Sequence, residues 1–259
     1  MALFKMNYFS KALQTDVLVN VIIPEVDKND PCAGIPDGSF KTLYLLHGLR
    51  GNHDSWMRNT AIERYAEKYN IAVIMPGVAR SWYTDTQYGA KYFTFVTEEL
   101  PQVCQGYFKG LSPKREDNFI IGLSMGGYGA VKAALTCPDK YFGCASLSGS
   151  LDITRRGRTV RMDEWKSIFD YGMQAPTELD NTMHDLYYLA RKNRAEERPF
   201  PKMFFWCGTE DELIKVNRSY HALLDELGVE HYYGESEGDH TWQWWDMHVC
   251  PAIEYLLKE

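Results

Sequence analysis

Nearly continuous apolar runs alternate along the chain with longer stretches of helical spacing. Thr42 to Leu46, Ile71 to Met75, Asn118 to Leu123, Cys144 to Leu147 and Met203 to Cys207 are apolar runs bounded by turn residues. Such runs suit strands buried on both faces of a parallel sheet. Tyr8-Phe9-Ser10 and Thr15 to Ile23 read as an antiparallel pair, because Val17, Val19 and Val21 alternate onto one face. Glu230 to Ser236 is the last predicted strand. The helical stretches fall between them. Ser55 to Tyr69 carries a stripe of Ala61, Ile62, Tyr65, Ala66 and Tyr69, with Asp54 as its N-cap. Phe93 to Phe108 reads as a helix that Pro101 kinks. Gly126 to Leu135 follows the third apolar run as a helix. Leu213 to Leu227 buries Leu213, Val216, Tyr220, Leu223, Leu224 and Leu227 and ends at Gly228, and Trp242 to about Lys258 is terminal. Strands alternating with helices predict an α/β class with a mostly parallel central sheet and helices on both faces.

Two stretches depart from this rhythm. Pro24 to Phe40 is a polar loop rich in proline and glycine. From Leu151 to Pro201 polar and charged residues dominate. This second stretch reads as an inserted helical cap of about 151–201, with helices at Trp165 to Phe169 and Thr182 to Arg191, inside a single domain spanning 1–259. Its arginines 155, 156, 158 and 161 read as a solvated face rather than a site for an acidic substrate.

Composition narrows the partners. The chain has 259 residues, 45% hydrophobic and 24% charged, with a formal net charge of −7. That is ordinary for a globular protein, and the negative balance argues against nucleic acid or an anionic membrane. Met1 to Ser10 has no sustained apolar core and Lys5 interrupts it, so no signal peptide is expected. Cys32, Cys104, Cys137, Cys144, Cys207 and Cys250 form no Cys-x-x-Cys pair and read as reduced thiols of a cytoplasmic protein. His184, His221, His231 and His248 read as packing or surface residues. With no metal-ligand spacing among histidines and acids, no metal is expected.

The chemistry concentrates after the apolar runs. Gly122-Leu123-Ser124-Met125-Gly126 sits between a predicted strand and a small-residue helix. That is the context a nucleophile elbow needs, because so sharp a turn presses strand and helix together and leaves no room for side chains at its glycines. The strand ending at Leu46 runs into His47-Gly48-Leu49, where the second oxyanion donor of such enzymes lies. The N–H groups of Leu49 and Met125 are therefore the oxyanion candidates. His47 reads as a prop for that loop, since a better base comes later. Asp211 and His240 each follow a predicted strand, so Ser124, Asp211 and His240 occur in the chain order of α/β hydrolases and would emerge on one sheet edge. A serine hydroxyl needs a base, and the base needs a third group to fix its tautomer. Glu210 is the rival acid, and Asp239 is too near His240 in sequence to orient its ring. Trp82 and Tyr83, in the loop Ser81 to Gly89, read either as pocket walls or as packing beneath that loop.

Leu45-Leu46-His47-Gly48, Gly51-Asn52-His53, Trp82-Tyr83-Thr84-Asp85, Gly122 to Gly129 and Gly238-Asp239-His240 together resemble the tributyrin-esterase branch of the esterase D family, over nearly the whole chain. The resemblance implies an α/β-hydrolase fold and a serine carboxylesterase acting on short acyl esters, including acetyl or feruloyl esters of carbohydrates, without a cofactor. It implies Ser124, Asp211 and His240 as the triad and Leu49 and Met125 as the oxyanion donors. It also implies homo-oligomers, dimers or tetramers. S-formylglutathione hydrolases and feruloyl esterases look similar, but the former usually carry histidine where this chain has Tyr128, which disfavours a thioester role. The competing readings are an acyltransferase on the same scaffold and a non-catalytic binding protein.

Overall fold

The apolar runs pair into one eight-stranded sheet of order β1-β2-β4-β3-β5-β6-β7-β8. The computed structural model describes residues 1–25, 29, 34, 36–86, 89–156, 162–169 and 179–258. The strands are β1 Ala2–Ser10, β2 Thr15–Ile23, β3 Thr42–Leu46, β4 Ala72–Pro76, β5 Asn118–Leu123, β6 Gly143–Leu147, β7 Lys202–Gly208 and β8 Tyr232–Ser236. β2 runs antiparallel to β1 and β4, and β4, β3, β5, β6, β7 and β8 are mutually parallel. The order reverses between β3 and β5. In open α/β sheets the crevice at such a switch point, outside the carboxyl ends of the strands, is the ligand site.

The strand runs look continuous in sequence because both faces are covered. Tyr44, Ile74, Ile120, Cys144 and Phe205 point into one core layer, shared with the elbow helix. Leu43, Leu45, Val73, Phe119, Ile121 and Trp206 point into the other, against the terminal helix. The helices are α1 Ser55–Asn59, α2 Ile62–Tyr69, α3 Tyr92–Thr94, α4 Leu100–Tyr107, α5 Met125–Thr136, α6 Ile153–Arg156, α7 Met162–Phe169, α8 Leu186–Ala195, α9 Ile214–Glu226 and α10 Trp242–Leu257. Among them, none is long and apolar enough to cross a membrane.

Several boundaries differ from the sequence reading. β1 begins at Ala2, not Tyr8. It is an edge strand whose outward positions carry Lys5 and Asn7, which hides its alternation. The predicted helix over 55–69 is two helices. Thr60 is extended (φ −138°, ψ 169°), its hydroxyl donates to Trp56 O at 2.6 Å, and Ala61 N–H donates to Asp246 Oδ1 at 3.0 Å. Asp54 makes no side-chain cap, because its Oδ1 accepts from Asn20 Nδ2 at 2.7 Å instead. Between α3 and α4 the chain takes a π-helical turn, Phe95–Glu99. Pro101 has no N–H for the carbonyl four residues back and crowds it. That carbonyl, of Thr97, accepts from Lys140 Nζ at 3.0 Å. In the 151–201 stretch, α7 starts earlier than predicted and α8 later. Most of the loop 24–40, Cys32, residues 87 and 88, and the side chains of the arginine cluster lie outside the described residues.

Candidate active site

Ser124 stands between β5 and α5 at φ 53°, ψ −117°. A side chain there is strained by about 1–3 kcal/mol, and the surroundings must hold it. They do so by close backbone packing. A Cβ on Gly122 would lie 2.2 Å from the carbonyl of Gly126, and one on Gly126 would lie 2.4 Å from Leu46 O. Ser124 N–H donates to Leu147 O at 3.0 Å, and its carbonyl accepts from Tyr128 N–H and Ser150 N–H, each at 3.1 Å. The elbow is thus clamped to β3, β6 and its own helix.

His240 Nε2 lies 3.0 Å from Ser124 Oγ, and His240 Nδ1 lies 2.8 Å from Asp211 Oδ2. Asp211 is 2% exposed. Burial alone would raise its pKa. The His240 ring, the Leu213 N–H and the Ser148 hydroxyl outweigh it and hold the carboxyl below its usual value. Leu213 N–H donates to Asp211 Oδ1 at 2.8 Å. An ionised acceptor at Oδ2 favours the tautomer with the proton on Nδ1, leaving the Nε2 lone pair for the Ser124 hydroxyl. Glu210, the rival acid, faces elsewhere: its Oε2 accepts Gly238 N–H at 2.7 Å. Gly238 O in turn accepts Glu210 N–H at 3.0 Å. Glu210 therefore knits the Asp211 loop to the His240 loop. Asp239 accepts from Thr241 Oγ1. Trp245 sets its ring edge-on to His240, at 4.9 Å and 87°.

The loop after β3 lies beside Ser124, since a Cβ on Gly48 would be 3.4 Å from Ser124 Cβ. Among the described residues, neither Leu49 N–H nor Met125 N–H has an acceptor. Both are thus open at the elbow, where the N-terminus of α5 adds positive potential. His47 is fully buried. Its Nε2 accepts Val78 N–H at 3.0 Å, and its Nδ1–H donates to Gly48 O at 2.7 Å. Burial lowers its pKa to about 4. With both nitrogens engaged it braces the loop and offers no base.

Trp82 and Tyr83 are 2% and 1% exposed, so their rings pack beneath the loop. Tyr83 OH donates to His47 O at 2.8 Å, and its ring lies where a side chain on Gly129 would collide. Trp82 meets Tyr128 and Trp165 edge-on. Lys132 and His184 were not legible as partners in the sequence. Lys132 is fully buried and donates to Tyr83 O at 3.1 Å, Thr84 Oγ1 at 3.0 Å and His184 Nδ1 at 3.2 Å. The available signal was a lone lysine in an otherwise small and apolar helix. Asn217 was also missed; its Nδ2 holds Gly149 O at 3.0 Å. One metal-competent group occurs among the described residues, His221, Asp225 and His231. These three residues have no metal-ligand spacing in the sequence; they meet only because the end of α9 and the start of β8 come together in space, far from the elbow edge.

A parallel sheet with the nucleophile elbow at its switch point, and a serine, histidine and carboxylate in hydrogen-bond series, defines a serine hydrolase of the α/β-hydrolase fold. The family model described as "Putative esterase" matches residues 10–255. The chain belongs to that esterase family and is a carboxylic ester hydrolase. It is 32% identical to an acetyl esterase of Caldicellulosiruptor saccharolyticus, over 100% of this chain and 99% of the relative. It is 34% identical to a substrate-bound fluorophosphonate-binding serine hydrolase F of Staphylococcus aureus, with a TM-score of 0.91 over 100% of this chain and 99% of that one. An S-formylglutathione hydrolase of Staphylococcus aureus is also 34% identical, with a TM-score of 0.88 over 99% of both chains.

Proposed function

We propose that this esterase cleaves short-chain acyl esters, acetyl esters of carbohydrates foremost, through an acyl-enzyme on Ser124. The observation that carries the reading is the unbroken series from Asp211 through His240 to Ser124 Oγ, at 2.8 and 3.0 Å. His240 Nε2 takes the Ser124 proton as Oγ attacks the ester carbonyl. The carbonyl oxygen becomes an oxyanion, held by the N–H groups of Leu49 and Met125. The C–O bond to the alcohol breaks as His240 returns the proton to the leaving oxygen. Water, deprotonated by His240, then releases the acid and restores Ser124. Asp211 stays ionised and steadies the imidazolium. Losing one oxyanion donor of this kind costs roughly 10²- to 10³-fold in rate.

The preference for small acyl groups rests on the acetyl esterase similarity and on the packing next to the elbow. The chain folds in this reading as one domain, with about 151–201 as a cap. Leu151, Ile153, Trp165, Ile168, Phe169, Leu179 and Leu186 are buried, in the same core layer as Trp82, Tyr83 and Tyr128. Trp82 and Tyr83 thus pack between the elbow helix, the loop after β3 and the 151–201 stretch. The test is a panel of nitrophenyl esters from acetate to octanoate, with methyl ferulate and an acetylated xylo-oligosaccharide, on wild type and Ser124→Ala. Acetate or acetylated sugar leading, with the variant inactive, is the expected result. Full activity in Ser124→Ala sinks the assignment. The S-formylglutathione hydrolase similarity favours one second reading, a thioesterase. S-formylglutathione turned over faster than every oxygen ester would establish it.

A further inference from the structure

The last turns of α9 and the chain entering β8 bring two imidazoles and a carboxylate together. His231 Nε2 lies 2.8 Å from His221 Nδ1 and 4.0 Å from Asp225 Oδ1. His221 Nε2 lies 3.5 Å from Asp225 Oδ2. The rings are held in place. His231 Nδ1 donates to Val229 O at 2.7 Å, which fixes its proton there and turns the Nε2 lone pair into the cluster. The His231 side chain is 3% exposed and meets Phe205 edge-on. His221 stacks on Tyr233 at 4.2 Å and 9°. The charges of the neighbouring pair, Arg218 and Glu235, are spent on each other at 2.6 Å.

This arrangement calls for a cation. With His231 protonated on Nδ1, its Nε2 accepts the Nδ1–H of His221. The second nitrogen of a neutral His221 then turns a lone pair toward a carboxylate. Either a proton or a metal ion resolves that repulsion. Imidazole pairs with one carboxylate suit zinc-like ions, and an imidazole whose far nitrogen donates to a backbone carbonyl is the arrangement such ligands take. We propose that His221, Asp225 and His231 bind a divalent transition metal of the zinc class, which pins the end of α9 to the start of β8.

The ion replaces the hydrogen bond between the two rings. His221 moves its proton to Nε2, which faces Asp225 Oδ2, and Nδ1 becomes a ligand. Two imidazoles on a tetrahedral ion stand about 3.3 Å apart, so the rings separate by about 0.5 Å. Asp225, 62% exposed, supplies an oxygen, and water completes the shell. The position decides the role. α9 follows Asp211, and β8 leads to His240, but the cluster sits where β8 begins, whereas Ser124 sits where β5 ends. Among the described residues β8 pairs only with β7, so a staple there secures an edge strand and takes no part in ester cleavage.

The test uses the whole chain, freed of metal by a chelator and titrated with zinc sulfate by calorimetry and by thermal melts. Cobalt(II) absorbance reads the ligand geometry. Wild type should bind a single equivalent, with a melting temperature raised by about 5–10 °C at roughly a hundredfold excess over Kd. His221→Gln and Asp225→Asn, both changes at solvent-accessible side chains, should melt like wild type without zinc and bind about tenfold or more weakly with it. Nitrophenyl acetate hydrolysis, read on the same samples, should not change. Absence of heat and of any melting shift in wild type overturns the proposal. So does binding that survives both substitutions, or zinc inhibition of hydrolysis equal in all three proteins, which would put the ion at the triad.

Discussion

Gly122 and Gly126 are in backbone contact across the elbow: a Cβ on Gly122 would lie 2.2 Å from the Gly126 carbonyl. No side chain can bend away, because the obstacle is main chain. Gly122→Ala should therefore cost at least about 1–3 kcal/mol and move Ser124 out of line with His240. Gly106 is the control. It lies in α4, and a Cβ there meets nothing within 4 Å, so Gly106→Ala should stabilise by about 0.5–1 kcal/mol. Thermal melts and nitrophenyl acetate turnover on both variants check the pair. Equal melting temperatures for the two would refute the contact argument.

The elbow was legible in the sequence because crowding of this kind leaves only glycine, and glycine is visible. The same holds for the strands: burial on both faces demands continuous apolar runs, so most of the parallel strands were read within a residue or two. What escaped were features decided by distant partners. The break at Thr60 needs Asp246, far along the chain. The π turn before Pro101 needs Lys140. Lys132 reads as an anomaly until Tyr83, Thr84 and His184 surround it, and His221 reads as a surface residue until His231 returns to meet it. The hydrogen-bonded series of Asp211, His240 and Ser124 was legible because each member follows a parallel strand and β5, β7 and β8 end on one edge.

Asp211 and Glu210 are adjacent carboxylates with different tasks, and their substitutions should separate. Asp211→Asn keeps the shape but favours the wrong His240 tautomer, and should lower kcat by about 10⁴-fold. Glu210→Gln loosens the tie to Gly238 N–H, and should lower kcat by about tenfold or less with KM little changed, because the amide oxygen still accepts that bond, though more weakly than a carboxylate. Steady-state kinetics on one ester decides it. A Glu210→Gln defect as deep as that of Asp211→Asn would make Glu210 the acid of the triad.

Two buried histidines predict acid sensitivity ahead of the carboxylates. Burial lowers His47 to about 4, and burial together with Lys132 lowers His184 to about 2. Both folded values lie below the unfolded value of about 6.5, so between them the unfolded chain binds more protons. Their stabilising effect is complete above about pH 6.5 and is lost as pH falls, at up to about 1.4 kcal/mol per pH unit for each. Unfolded carboxylates titrate near pH 4, so urea unfolding between about pH 6.5 and 5 reads these two histidines together with half-buried His248, which burial also lowers to about 4. A flat free energy across that window would show that neither ring is neutral in the fold.

Lys132 predicts a slope of the same sign on the alkaline side. Burial lowers its pKa to about 7, against about 10.4 unfolded. Above pH 7 the unfolded chain binds the extra proton, so the cost of burying the ammonium fades and stability rises with pH. The buried thiols oppose this, since burial raises Cys104, Cys144 and Cys207 and unfolded cysteine ionises near 8.5. The clean window is thus about pH 7 to 8.5. Lys132→Met keeps the length and removes the charge. Across that window wild type should gain on the variant by up to about 1.4 kcal/mol per pH unit, and parallel curves would refute a neutralised lysine. The variant also loses the donor that ties α5 to Tyr83 O, Thr84 and His184. Ser124 and His240 do not touch that network, so the change should appear in KM more than in kcat. A fall in kcat with KM unchanged would mean that Lys132 instead supports the elbow itself.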